Sequence, residues 1–340
     1  MVALLRSGRP NRSAHGGRDM SAAATAGEWG LVGDIGATNA RFALVDPAGA
    51  LHQTRGLLCD DYPTIADAIA AYLRTRTAVP TQAVLAVAAT PAGDEVALTN
   101  HPWTFSIGKL CQTLGLHRLL VVNDFHANAA AVPHLDADSL VQIGPGSPDA
   151  GSPIGVIGPG TGLGVASLIP TAAGPLAIPG EGGHITMAPA DAREGAVLDL
   201  MRGRYDHVSA ERVLSGPGLV NLYNTLCELS HVPAAPLTAA QISDPRMEAT
   251  DPLAREATEM FCAMLGTVAG NLALTLGARG GIYIAGGIVP KLGDFFAQSQ
   301  FRARFEAKGR FRSYLAAIPT YVVVRPHPAL LGAARLLERG

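Results

Sequence analysis

A few carboxylate groups and two glycine-rich turns carry the chemistry that can be read from this chain. Asn123 and Asp124 follow the apolar run at 119–122, read as a strand, and lead into an Ala-rich helix. Ligands of open α/β sheets lie beyond the carboxyl ends of strands, which is where Asp124 should stand. An equally good reading makes it the N-cap of the following helix, a role worth about 1 kcal/mol. Glu181 and His184 stand in a segment, 178–184, too rich in Gly for a regular element. A carboxylate can accept from two neighbouring hydroxyls and an imidazole can donate or accept, so this pair suits a polyhydroxylated ligand. Metal ligation is the weaker alternative, since no second His or Cys is close by. Glu211, taken alone, is most simply a solvated charge.

Residues 154–169 place two β-branched runs around a tip that is mostly Gly, with Thr161 as its hydroxyl. Gly tolerates positive φ and has no Cβ, so N–H groups there can close on an anion; a plain tight hairpin has the same composition. Residues 29–46 have a similar layout, with Leu31-Val32, the turn Gly33-Asp34-Ile35-Gly36-Ala37-Thr38-Asn39, and then Phe42-Ala43-Leu44-Val45. Two such units about 120 residues apart suggest a duplicated fold in which each lobe offers a hairpin to one nucleotide. Asp34 would repel phosphate unless a cation stood between, which makes it a candidate to hold Mg2+ directly or through water. A buried strand within 280–290 ends in Gly286-Gly287, where an adenine or ribose could lie; a bare turn reads as well.

These groups need a frame. A chain of 340 residues suffices for two domains with substantial cores. A net charge of −2 offers no basic excess for nucleic acid or an anionic membrane. Cys59, Cys111, Cys227 and Cys262 are far apart and form no C-x-x-C pair, which argues for a reduced cytosolic setting without a disulfide framework or zinc site. The absence of a G-x-x-x-x-G-K-[ST] segment argues against a P-loop enzyme. Residues 1–28, rich in Arg and Ser, read as a disordered extension, with an organellar transit segment as the alternative. The uncharged stretch 260–276 is short for a membrane span and carries Thr267, Asn271 and Thr275. Asp251-Pro252 before it and Gly277 after it mark a long buried helix instead. A third strand follows the first hairpin at 51–58, an amphipathic helix covers the sheet at 64–76, and further strands fall at 82–88 and 318–324. Ser106, Asp191 and Thr238 cap helices, and Pro328 opens a last one.

In their order along the chain these motifs resemble those of the bacterial glucokinases, within the wider sugar-kinase and actin-like ATPase superfamily. The resemblance runs over residues 31–337, through 33–41, 99–103, 123–125, 158–164, 179–184, 209–218 and 284–290. It implies an α/β architecture, a two-lobed duplicated actin-like ATPase (ribonuclease H-like) sugar-kinase fold. Residues 29–134 with 325–340 would form a small domain and 135–324 a large one. The implied activity is ATP-dependent phosphorylation of glucose at its 6-hydroxyl, the first step of glycolysis, by a cytoplasmic homodimer with no nucleic-acid or membrane partner. Asn100, Asn123, Asp124, Glu181, His184 and Glu211 would contact glucose, with Asp124 as the general base. Gly33, Asp34, Ile35, Gly36, Ala37 and Thr38, with Gly160, Thr161 and Gly162, would hold the ATP phosphates. Asp34 would serve Mg2+, and Gly286 and Gly287 the adenosine. Ala37 stands where the family usually has Gly; if that position needs positive φ, its methyl would strain the turn and weaken nucleotide binding.

Competing readings are a kinase for another hexose, a sugar-responsive repressor and an actin-like filament protein. The residues before the first strand are too few for the helix-turn-helix module of a repressor, and the Cys-rich zinc motif of those regulators is missing. The sugar-site segments conflict with a filament protein.

Overall fold

Residues 28–338 are described by the structure, a computed structural model. The extension expected at 1–28 lies outside them except for Glu28. The chain opens on the expected antiparallel meander, β1 (Gly30–Ile35), β2 (Asn39–Val45) and β3 (Leu51–Leu58). It continues with β4 (Gln82–Val87), a short ribbon of β5 (Glu95–Ala97) and β6 (Thr104–Ser106), and β7 (Arg118–Asn123). β4 and β7 run parallel to β1, giving a sheet of order β3-β2-β1-β4-β7. A second sheet is built from β8 (Leu140–Gln142), β9 (Ile154–Pro159), β10 (Leu163–Ile169), β11 (Leu176–Gly180), β12 (Ile282–Ile284) and β13 (Thr320–Val323). Its order is β11-β10-β9-β12-β13-β8, with β12 and β13 parallel to β9. Apart from the edge strand β8, both sheets are a three-stranded meander followed by two parallel strands. The duplication expected from the two hairpins extends to whole sheets.

Parallel strands covered on both faces read as continuous apolar runs, and Ala83 to Val87 of β4 are all buried. One face of the first sheet takes helix Ile65–Leu73, whose Ile65, Ile69 and Tyr72 pack with Leu31, Ile35 and Leu85. The other takes the last helix, Pro328–Leu337, whose Leu330, Ala333 and Leu337 meet Val32, Val84 and Ala86. The two ends of the described chain thus share one sheet.

Helix Asp124–Ala131 lies between the sheets. Its Ala127 belongs to the cluster under the last helix, whereas Phe125 and Ala129 pack with Val156, Ala166 and Tyr283 of the second sheet. Helix Pro252–Leu276, the one helix among the described residues long and apolar enough to cross a membrane, forms the centre of the other core. Its Phe261, Met264 and Leu265 are fully buried, and Gly266 and Gly270 let the backbone around Phe301 and Phe305 come close. Asp251 caps it and Gly277, at φ 62°, ends it, as the sequence signals require.

Candidate active site

The carboxyl ends of β1, β4 and β7 finish level, because Ile35 pairs with Val87 and Val87 with Asn123. Three segments therefore leave the sheet side by side: the turn at 36–38, the loop at 88–90 and the helix that begins at Asp124. On the other sheet the tip at 160–162 and the segment after β12 leave in the same way. Between the two sets lies a cleft of about 500 Å3. Its walls include Gly36, Ala37, Asn100, Asn123, Asp124, Gly160, Thr161, Gly162, Glu181, His184, Glu211 and Gly286.

Asn123, not Asp124, caps the helix. Its Oδ1 accepts from the N–H of Phe125 at 2.8 Å and of His126 at 3.3 Å, while its Nδ2 donates to the Ala89 carbonyl at 3.1 Å. One N–H of the amide remains for the cleft. Asp124 is thereby released from capping, although its Oδ1 also accepts from the Phe125 N–H at 2.9 Å. Loss of water at the cleft floor, then the charge of Asp34, push the Asp124 carboxyl up to about 7, against the pull of the Phe125 N–H. Asp34 is raised too, chiefly by burial, with Arg41 and His327 opposing the shift. The Asp34–Arg41 pair is loose at 3.9 Å.

The turns are shorter than the sequence suggests. Gly33, Asp34 and Ile35 belong to β1, and strand alternation turns Gly33 and Ile35 into the core. A Cβ on Gly33 would stand 2.7 Å from Leu85, so packing against that side chain accounts for this glycine. The first tip is Gly36, Ala37 and Thr38, with the Gly36 N–H closing on the Asn39 carbonyl at 2.9 Å. Ala37 is not among the residues of positive φ, so the turn does not force its methyl into the left-handed region. The second tip is Gly160, Thr161 and Gly162. Gly286 does need Gly, at φ 87° and with its Cβ position 2.5 Å from the Pro159 carbonyl oxygen; Gly287 is exposed beside it.

Glu211 is more than a solvated charge. Its Oε2 accepts from the Leu163 N–H at 2.9 Å, and a Cβ on Gly162 would meet that oxygen at 2.5 Å. The Gly216 N–H donates to the Gly160 carbonyl at 2.8 Å, so the start of helix Gly216–Leu229 also braces the second tip. Positive partial charge at that helix start favours an anion in the cleft. Glu181 and His184 are exposed, 3.9 Å apart, and Asn100 is exposed on the opposite wall.

A family model for glucokinase matches residues 31–340. This chain belongs to the glucokinase family. A glucokinase of Paramagnetospirillum magneticum is 52% identical over 310 residues, which is 90% of this chain and 97% of that one. The crystal structure of a glucokinase from an Antarctic psychrotroph superposes with a TM-score of 0.82 at 37% identity, covering 92% of this chain and 99% of that one. A ROK-family glucokinase from Streptomyces griseus, 20% identical, shares the fold with a TM-score of 0.63 over 92% of this chain and all (100%) of that one. The α/β architecture with mixed sheets is thus the actin-like ATPase fold of sugar kinases.

Within this glucokinase frame the structure adds residues that lie outside the motif segments. Thr90, Asn128 and Asn221 also line the cleft, with Thr99 and Arg212 from two of those segments. Asn128 follows Asp124 by one helical turn, and its buried Oδ1 has no protein partner. The i, i+4 spacing from Asp124 was the signal that could have found it.

Proposed function

We propose that this chain transfers the γ-phosphoryl group of ATP to the 6-hydroxyl of glucose, giving glucose 6-phosphate and ADP as the first step of glycolysis. The observation that carries this reading is Asp124: a carboxylate freed from capping, facing two glycine tips, with its proton affinity raised to the working range of a base. Phosphoryl transfer asks for alignment, charge neutralisation and a base near the acceptor hydroxyl, with no covalent nucleophile. Asp124 takes the proton of the 6-hydroxyl as it attacks. Asn100, Asn123, Glu181, His184 and Glu211 hold the other hydroxyls. Backbone N–H groups and the hydroxyls of Thr38 and Thr161 cradle the phosphates, and Gly286 and Gly287 flank the adenosine.

Asp34 fits a magnesium ion. It is an oxygen donor whose charge acts on Asp124, and Mg2+ takes one or two carboxylates together with phosphate oxygens. When bound, the ion would neutralise charge between the phosphates and Asp34. We further infer a ribonuclease H-like topology for each lobe, a small domain at 29–134 with 325–340, a large one at 135–324, and a cytoplasmic homodimer.

The test is glucose 6-phosphate formation from glucose, ATP and Mg2+, with mannose, fructose and N-acetylglucosamine in parallel. Rapid turnover on glucose is expected; turnover confined to another sugar would change the substrate, and none at all would sink the kinase reading. The pH dependence of kcat/KM reports the free enzyme. The base form of Asp124 predominates above about 7, so kcat/KM should hold its plateau there and fall about tenfold per unit below. Asp34→Asn removes a charge that raises this carboxyl, so the acid limb of whatever activity remains should move to lower pH. An acid limb left in place would show that Asp34 is not coupled to the base.

A further inference from the structure

One hydrogen bond joins the two walls of the cleft at its sugar end. Thr90 Oγ1 donates to Glu181 Oε1 at 2.5 Å, across 91 positions of sequence. Thr90 belongs to the loop after β4, on the sheet that carries Asp34 and Asp124. Glu181 follows β11 on the other sheet.

Both supports are fastened. Ahead of Thr90, the Ala88 N–H donates to the Ile35 carbonyl at 3.0 Å, the Ala88 carbonyl accepts from the Thr99 N–H at 3.1 Å, and the Ala89 carbonyl accepts from Asn123 Nδ2. The Thr90 loop is thus tied to the end of β1, to the segment of Asn100 and to the cap of the catalytic helix. Behind Glu181, Gly182 and Gly183 lie so close to Val165 and Leu163 that neither has room for a Cβ. The His184 N–H donates to the Glu181 carbonyl at 3.0 Å.

The Glu181 side chain itself is 58% exposed, and a long exposed carboxylate has many rotamers to lose on binding. The Thr90 hydroxyl engages Oε1, leaving Oε2 at 3.9 Å from His184 Nε2 and available to a ligand. We propose that Thr90 is a positioning residue for sugar recognition: its hydroxyl orients the Glu181 carboxylate so that one oxygen, beside His184, reads a sugar hydroxyl. This rests on the reading of the cleft as the hexose site. A preoriented acceptor lowers the ordering cost of binding and leaves the phosphoryl-transfer step alone. The effect belongs in the hexose KM, not in kcat.

The experiment compares Thr90→Val, which keeps the shape and removes the donor, with Thr90→Ser, which keeps the donor, and places Thr90→Val in a Glu181→Ala background. Thr90→Val should raise the glucose KM about tenfold with little change in kcat or in the ATP KM. Thr90→Ser should restore the wild-type values. With Glu181→Ala already present, adding Thr90→Val should change little, since the acceptor of the Thr90 hydroxyl is then gone. An unchanged KM in Thr90→Val, a Ser variant that behaves like Val, or fully additive effects would each overturn the proposal. A wild type active on a hexose but indifferent to Thr90→Val removes the Thr90 role alone. A wild type inert on every hexose removes the reading of the cleft as well.

Discussion

Asp124→Asn should lower kcat on glucose by roughly 100- to 10,000-fold, the usual contribution of a positioned general base, and leave glucose binding nearly intact. The substitution keeps the shape and the start of the helix, because capping is done by Asn123. It also carries a stability signature of opposite sign. In the fold the Asp124 carboxyl sits at about 7, above its ordinary value of 3.8, so the folded state holds this proton more tightly than the unfolded chain. The stability it contributes is complete below about 3.8 and is lost as pH rises through about 7. At pH above that point the wild type bears the cost of a poorly solvated charge, at most about 4 kcal/mol and less where cleft water reaches it. The Asn variant should therefore melt higher than the wild type in alkaline buffer, and the gap should close toward acid. Thermal melts at both ends of that range check this, and kcat at saturating glucose and ATP checks the first part. A variant with near-wild-type kcat would remove Asp124 from the role of base.

Gly164→Ala should damage both the fold and the catalysis through a packing contact with Phe125. Gly158 and Gly164 face each other across β9 and β10, and the Phe125 ring rests on the bare patch they make. A Cβ on Gly158 would stand 2.8 Å from Phe125, and one on Gly164 would enter the ring itself. Because Phe125 adjoins Asp124 in the same helical turn, its displacement moves the carboxylate. Overpacking of this kind costs about 1–3 kcal/mol, and a shift of about 1 Å at a reacting group costs about 100-fold in rate. The expected result is a lower Tm together with a kcat loss larger than the change in either KM. Gly160→Ala supplies the contrast: a Cβ there meets nothing within 4 Å, so its Tm should stay at the wild-type value. Equal Tm values for the two variants would mean that the Phe125 seat is not close-packed.

The meander, the buried helix at 252–276, the caps at Asp251 and Thr238 and the opening of the last helix at Pro328 were all legible in the sequence. Each rests on interactions between residues a few positions apart, through alternation, capping and left-handed stops. The order of the motifs likewise singled out Asp34, Asn123, Asp124, Glu181 and His184 before any geometry. What spacing left open was which of two adjacent residues does which work. An Asn-Asp pair at a helix start offers two capping side chains, and only the position of the Ala89 carbonyl makes Asn123 the one held in place. The glycines show the same division. Composition made every Gly of the two turns a candidate for phosphate, whereas β1 places Gly33 against Leu85 and the helix between the sheets places Gly158 and Gly164 under Phe125. Thr90 and Glu181 meet only because two separate sheets are brought together across the cleft. The sequence determined the elements, the motif order and the class of chemistry, since those follow from local periodicity and residue type. Tertiary structure alone decided which glycines are packing sites, which side chain caps and which walls touch, because those depend on contacts between residues remote in the chain.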